Sequence, residues 1–186
     1  APAPAPTPPP TPEPTPEPVA QPTAPEPIPH AVAPTPFRYA DLPQLDGGLG
    51  LGSAGPVVAA VQEQLAALGY YTGPAHGRFD EATAAAVQWF QAMAGVAGDP
   101  SGTVGRSTAM AIQAAGPRPP LGPGATGEDV HRLQHALIVA LGKPLRATGA
   151  YRASTQSAVA EYQTSRGLPA TGVVDDLTWA ALQGGG

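Results

Sequence analysis

The chain has 186 residues, of which 26 are proline, 23 are glycine and none is cysteine, with a formal charge of −5. The missing cysteine excludes disulfides, thiolate nucleophiles and thiolate metal sites. Without a positive field, nucleic acid and anionic lipid are excluded as partners by the same reasoning. No apolar run approaches the ~18 residues of a membrane span. The chain opens at Ala1 without a leader-like segment, so it is read as a processed protein or a piece of a longer one.

Up to Gly50 the acids Glu13, Glu17, Glu26, Asp41 and Asp46 stand against Arg38 alone, so the N-terminal part holds most of the charge. Residues 1–36 place proline at every second or third position over most of their length. Proline removes backbone donors and biases its neighbours toward extended geometry. The prediction is a disordered, polyproline II-rich tether that acts as a spacer. An SH3-type ligand needs a basic residue beside its PxxP, and none precedes Arg38. Residues 37–50 are transitional. Phe37, Tyr39, Leu42 and Leu45 either dock as a strap or stay disordered, and both alternatives stand open.

Residues 51–115 read as three helices. Pro56 sits in a first turn, Val58, Val61, Leu65 and Leu68 form an apolar stripe, and Gly69 ends it. A loop from Tyr70 to His76 leads into a central helix. There Thr83, Ala86, Val87, Phe90 and Ala94 share one face, Asp80 is the N-cap, and Gly95 supplies the left-handed stop. A short third helix turns Thr108, Met110 and Ile112 inward. A stiff linker, 116–120, follows. Residues 121–183 repeat the order with Val130, Leu133, Leu137 and Leu141 before Gly142, then Thr155, Ala158, Val159 and Tyr162 before Gly167. Thr126-Gly127-Glu128-Asp129 resembles a capping box opening the first of these helices. Asp175 caps a closing helix that contains Trp179 and Leu182. The blocks from Gly77 and from Gly149 are offset by 149 − 77 = 72 positions, so the chain is all-α with two tandem three-helix repeats.

These repeats resemble the three-helix peptidoglycan-binding domain that accompanies cell-wall hydrolases and phage lysins. The resemblance rests on Val61-Gln62, Leu65, Leu68-Gly69-Tyr70, Gly77, Phe79, Thr83, Ala86-Val87, Phe90-Gln91, Gly95-Val96, Gly102, Val104-Gly105, Thr108 and Ile112 in the first copy. In the second it rests on Leu133-Gln134, Leu137, Leu141-Gly142, Gly149, Tyr151, Thr155, Ala158-Val159, Tyr162-Gln163, Gly167-Leu168, Gly172, Val174, Thr178-Trp179 and Leu182. Departures are His76 and Thr148 in the place of an Asp, Asp80 and Arg152 in the place of a Gly, Lys143-Pro144 after Gly142, and Ala109 in the place of Trp179. The resemblance implies a non-catalytic module that anchors a host protein on peptidoglycan outside the cell, with no cofactor or metal. Two alternatives go with it. One is a structural or protein-interaction module of a phage or envelope assembly, and the other is a fragment of a cell-wall hydrolase.

The candidate ligand set is Gln62, Tyr70, Tyr71, Trp89, Gln91, Arg106, Gln134, Tyr151, Gln163 and Asp176. The four glutamines recur beside core positions, where an amide either satisfies nearby backbone or lines a groove; the first reading is favoured. Trp89 lies about 100° from the buried stripe and its counterpart is Glu161, so it faces a sugar ring or the other repeat, with the interface placed first. One of Tyr70 and Tyr71 is expected to pack under the loop. Arg106 and Asp176 are equivalent positions of opposite charge, so one copy is expected to dominate binding. His131 and His135 have i, i+4 metal-ligand spacing without a third ligand. The acids lie at helix starts and in loops, where capping explains them, and no nucleophile elbow appears.

Overall fold

A computed structural model describes residues 34–186. The disordered state expected for the tether lies outside the described residues, apart from Pro34, Thr35 and Pro36. Among the described residues there are seven α-helices and no strand: α1 Leu42–Gly47, α2 Pro56–Ala67, α3 Glu81–Ala94, α4 Arg106–Ala114, α5 Glu128–Leu141, α6 Ala153–Ser165 and α7 Asp176–Gln183. Helices α2–α4 make the first repeat and α5–α7 the second, as the periodicity predicts.

Each helix of a repeat is entered through the same turn. Gly52, Gly77, Gly102, Gly124, Gly149 and Gly172 all have positive φ. Six positions on from each lies a fully buried residue in the first turn of a helix: Val58, Thr83, Thr108, Val130, Thr155 and Thr178. The turns pair through single antiparallel bridges, Leu49 with Val104, Ala54 with Arg78, Leu121 with Val174, and Thr126 with Ala150. At Gly77 (φ 70°) an added Cβ would lie 3.0 Å from the Gly55 carbonyl oxygen, and at Gly149 (φ 68°) 3.3 Å from that of Gly127. Both the left-handed backbone and the close approach therefore select glycine there. Asp80 and Asp175 cap α3 and α7, each accepting from the N–H of the threonine three residues on, Thr83 and Thr178. Gly95 and Gly142 end α3 and α5 in the left-handed conformation.

The capping box expected at Thr126–Asp129 does not form. Gly127 is the N-cap of α5 and makes no side-chain cap bond. Thr126 lies one residue too early, in the bridge to Ala150, and the Asp129 carboxylate turns instead to Arg132 at 2.9 Å.

The repeats meet through α4, which packs on both α5 and α7, and their buried side chains form one continuous cluster. The linker is clamped by the second repeat. Arg132 donates to the carbonyls of Ala114 at 2.6 Å, Ala115 at 3.0 Å and Pro117, and lies 4.3 Å over the Trp179 ring. The fully buried Trp179 donates its indole N–H to the Pro119 carbonyl at 2.7 Å. Of the two alternatives for residues 37–50, docking is the one observed. Phe37, Leu42, Leu45 and Leu49 are buried, whereas Tyr39 is 50% exposed and takes no part in the strap's apolar side.

Candidate functional site

The four recurrent glutamines form four nearly identical internal clamps. Gln62 accepts the Gly77 N–H at 2.9 Å and donates to the Arg78 carbonyl and the Thr83 hydroxyl, both at 2.9 Å. Gln134 does the same with Gly149 at 2.9 Å, Ala150 at 3.0 Å and Thr155 at 2.9 Å. Gln91 holds Gly102, Thr103 and Thr108, each at 2.9 Å. Gln163 holds Gly172 at 2.9 Å, Val173 at 2.8 Å and Thr178 at 3.0 Å. All four are buried, so each amide is used to fasten the entry turn of the next helix. That is the structural alternative of the two readings.

Two of the candidate tyrosines are likewise interior. Tyr71 is buried and its hydroxyl donates to the Pro74 carbonyl at 3.2 Å, so it is the member of the Tyr70–Tyr71 pair that packs under the loop. Tyr151 is buried with its hydroxyl 2.8 Å from the Gly172 carbonyl, and burial pushes that hydroxyl's pKa up to about 12. The departures His76 and Thr148 also acquire a local reason. His76 Nδ1 accepts the Arg78 N–H at 3.1 Å and Thr148 Oγ1 accepts the Ala150 N–H at 3.3 Å. Each supplies the side-chain acceptor two residues before the N–H it satisfies, which is the task of an Asp in an Asx-turn.

Tyr70 and Trp89 are the candidate aromatic residues that reach a surface. Their rings meet edge to face at 5.3 Å and 82°, and Tyr70 meets Phe90 the same way at 5.4 Å and 87°. Trp89 remains 37% exposed. It stands on α3 beside a residue of its own repeat, whereas the repeats join chiefly through α4. Partial burial pushes the Tyr70 hydroxyl above the usual phenol range, keeping it protonated. Tyr70 borders a cleft of about 300 Å³ whose walls come from both repeats: Leu68, Phe90 and Met93 on one side, Arg118 and Gln183 on the other. Arg118 donates to Gln183 Oε1 at 2.6 Å and lies 3.5 Å from the exposed Asp176 carboxylate. Such an exposed ion pair contributes little stability.

Arg106 is not part of this cleft. It forms a two-point ion pair with Asp46 of the strap, and this partner holds the Asp46 carboxyl below its usual pKa range. Equivalent positions thus meet opposite partners, Arg106 an acid and Asp176 an arginine. His131 and His135 stack at 4.6 Å, and His135 is buried, with Nδ1 3.1 Å from the Phe37 carbonyl. Among the described residues no group of three or more His, Asp or Glu is placed to hold a metal ion, and no helix is long and apolar enough to cross a membrane. The cleft residues that sequence reasoning missed are Arg118 and Gln183. Arg118 sits in a proline linker and reads as spacer, and Gln183 lies one residue past the last apolar position of its stripe.

A family profile described as "Putative peptidoglycan binding domain" matches residues 54–114 and 126–182. Among solved structures, the crystal structure of the SleB N-terminal domain is similar over 37% of this chain and 93% of its own length, at 29% identity and a TM-score of 0.35. No curated protein matches the chain.

Proposed function

The chain belongs to the peptidoglycan-binding domain family, whose profile covers both helical triplets, and we propose that it holds the bacterial wall at the cleft between its repeats. Binding of peptidoglycan and association with the cell wall follow from the family. The observation that carries the placement is the partly exposed Trp89 in edge-to-face contact with Tyr70, which itself lines the cleft. A flat, partly bare indole offers its face to the C–H side of a sugar ring. The bracing by Tyr70 keeps it from turning inward. Arg118, held on the opposite wall by Gln183, supplies guanidinium donors for carboxylates of a stem peptide or for acetamido oxygens.

In this reading the chain is an extracellular anchor and not a catalyst. Asp80 and Asp175 serve as caps, Asp46 and Asp129 as ion-pair partners, and Asp41, Glu63 and Asp99 accept backbone N–H groups. The asymmetry between repeats supports one composite site: Trp89 has Glu161 for a counterpart, and Glu161 is paired with Lys143. The test is co-sedimentation of the full chain with purified sacculi, beside a chitin control. Trp89→Ala is expected to weaken pelleting about tenfold, the loss of one aromatic stacking contact, with an unchanged circular dichroism spectrum. Full affinity in that folded variant moves the contact away from the cleft. Pelleting with chitin as well as sacculi assigns the contact to the glycan, and pelleting with sacculi alone brings in the stem peptide.

A further inference from the structure

The strap is held by contacts that read a peptide backbone. Thr35 donates its N–H to the Glu63 carboxylate at 3.0 Å and accepts at its carbonyl from Gln64 Nε2 at 2.7 Å. Gln64 is itself oriented by Gln113, whose amide donates to Gln64 Oε1. Two residues on, the Phe37 carbonyl accepts from His135 Nδ1 at 3.1 Å, and the Phe37 side chain is fully buried. Pro34 and Pro36 have no N–H to satisfy. The demands of the segment therefore fall at alternate residues, which is the period at which an extended chain presents one face.

The readers come from α2, α4 and α5, hence from both repeats. Glu63 and His135 occupy equivalent positions of α2 and α5, offset by 135 − 63 = 72, yet one accepts and the other donates. Neither they nor Gln64 belong to the pattern shared by the repeats, whereas Gln113 has Gln183 as its counterpart. Beside the docked segment the same seam keeps an open volume of about 500 Å³. The sequence repeats the docked triplet at Pro6-Thr7-Pro8, Pro10-Thr11-Pro12 and Pro14-Thr15-Pro16, in each case without a following aromatic residue.

We propose that the seam between the repeats is a recognition site for an extended Pro-Thr-Pro-Phe peptide, filled here in cis by Pro34–Phe37 and able to take the same segment in trans. It adjoins the wall-binding cleft, with Leu68 and Ala115 lining both, but does not depend on that reading. The backbone contacts give the site its preference for a donor-poor, extended segment. Phe37 fixes the register. The cis segment competes at an effective concentration on the order of millimolar, so a peptide added to the unaltered chain binds poorly at lower concentrations.

The probe is a fluorescent peptide of the sequence of residues 33–40, measured by anisotropy against the full chain. The Phe37→Ala chain, whose own anchor is removed, is expected to bind it at least tenfold more tightly than the unaltered chain does. Adding His135→Ala to that chain is expected to weaken binding about tenfold, and a peptide with Ala in place of Phe is expected not to bind. A folded Phe37→Ala chain that binds neither peptide, or both equally, overturns the proposal. Should Phe37→Ala fail to fold, hydrogen exchange of the Thr35 amide in the unaltered chain decides. Several-millimolar unlabelled peptide, in the range set by that effective concentration, must speed this exchange by displacing the strap, and an unchanged rate overturns the proposal.

Discussion

Gln62 satisfies one N–H, one carbonyl and one hydroxyl inside the molecule. Gln62→Ala is expected to cost roughly 3 kcal/mol, because a buried donor and acceptor are left unmade and a void opens. Denaturant titration reads the loss, and full stability in that variant would refute the clamp. Tyr162 presents the opposite case. Among the described residues its hydroxyl is buried without a hydrogen-bond partner, while the equivalent position in the first repeat is Phe90. Tyr162→Phe removes an unmet group at nearly constant volume and is expected to stabilise the chain by about 1 kcal/mol; a lower denaturation midpoint would mean that the hydroxyl is satisfied in solution. The caps Asp80 and Asp175 have carboxyls held below their usual range, first by the hydroxyl and then by the N–H of Thr83 and Thr178. A depressed folded value means stability that is present above the unfolded carboxyl pKa of ~3.9 and is lost as pH falls through the folded one.

The strap shows what an element adds that its residues do not announce. The helices of the repeats were legible because their inward residues keep a 3.6 period between a cap and a glycine stop, as from Asp80 to Gly95. The strap has no such period, and its partners lie far along the chain, His135 being 98 positions from Phe37. Docking therefore could not be chosen over disorder from the sequence. The glutamines were legible as important, but a position beside an apolar stripe reads the same whether its amide turns inward or out. The strap also brings a pH dependence. Burial first, and then His131 and Arg38, hold the His135 pKa below its ordinary value, partly offset by the Phe37 carbonyl and by Glu128. Unfolding then takes up a proton as pH falls below the unfolded value of ~6.5, and stability declines from there down through the folded value. His135→Gln is expected to flatten this slope between about pH 7 and pH 5. An unaltered slope would assign it to another group.

At the scale of the molecule the question is whether two repeats make two units or one. Each alone is near the lower size limit for a stable core, and three features tie them: the α4 contacts with α5 and α7, the Arg132 clamp on the linker, and a strap that touches both. The two tryptophans make the coupling measurable, because Trp89 lies in the first repeat and Trp179 in the second. A Trp179→Phe chain reports the first repeat through Trp89, and a Trp89→Phe chain reports the second through Trp179. If the seam couples the repeats, each single-tryptophan chain has a fluorescence midpoint in urea that coincides with its own far-ultraviolet circular dichroism midpoint. Trp179→Phe leaves a void at the Arg132 contact and is expected to shift both probes down together. Separate midpoints within one chain would make the repeats independent, and a site assembled from both, as the cleft and the strap seam require, would then lose its rigid frame.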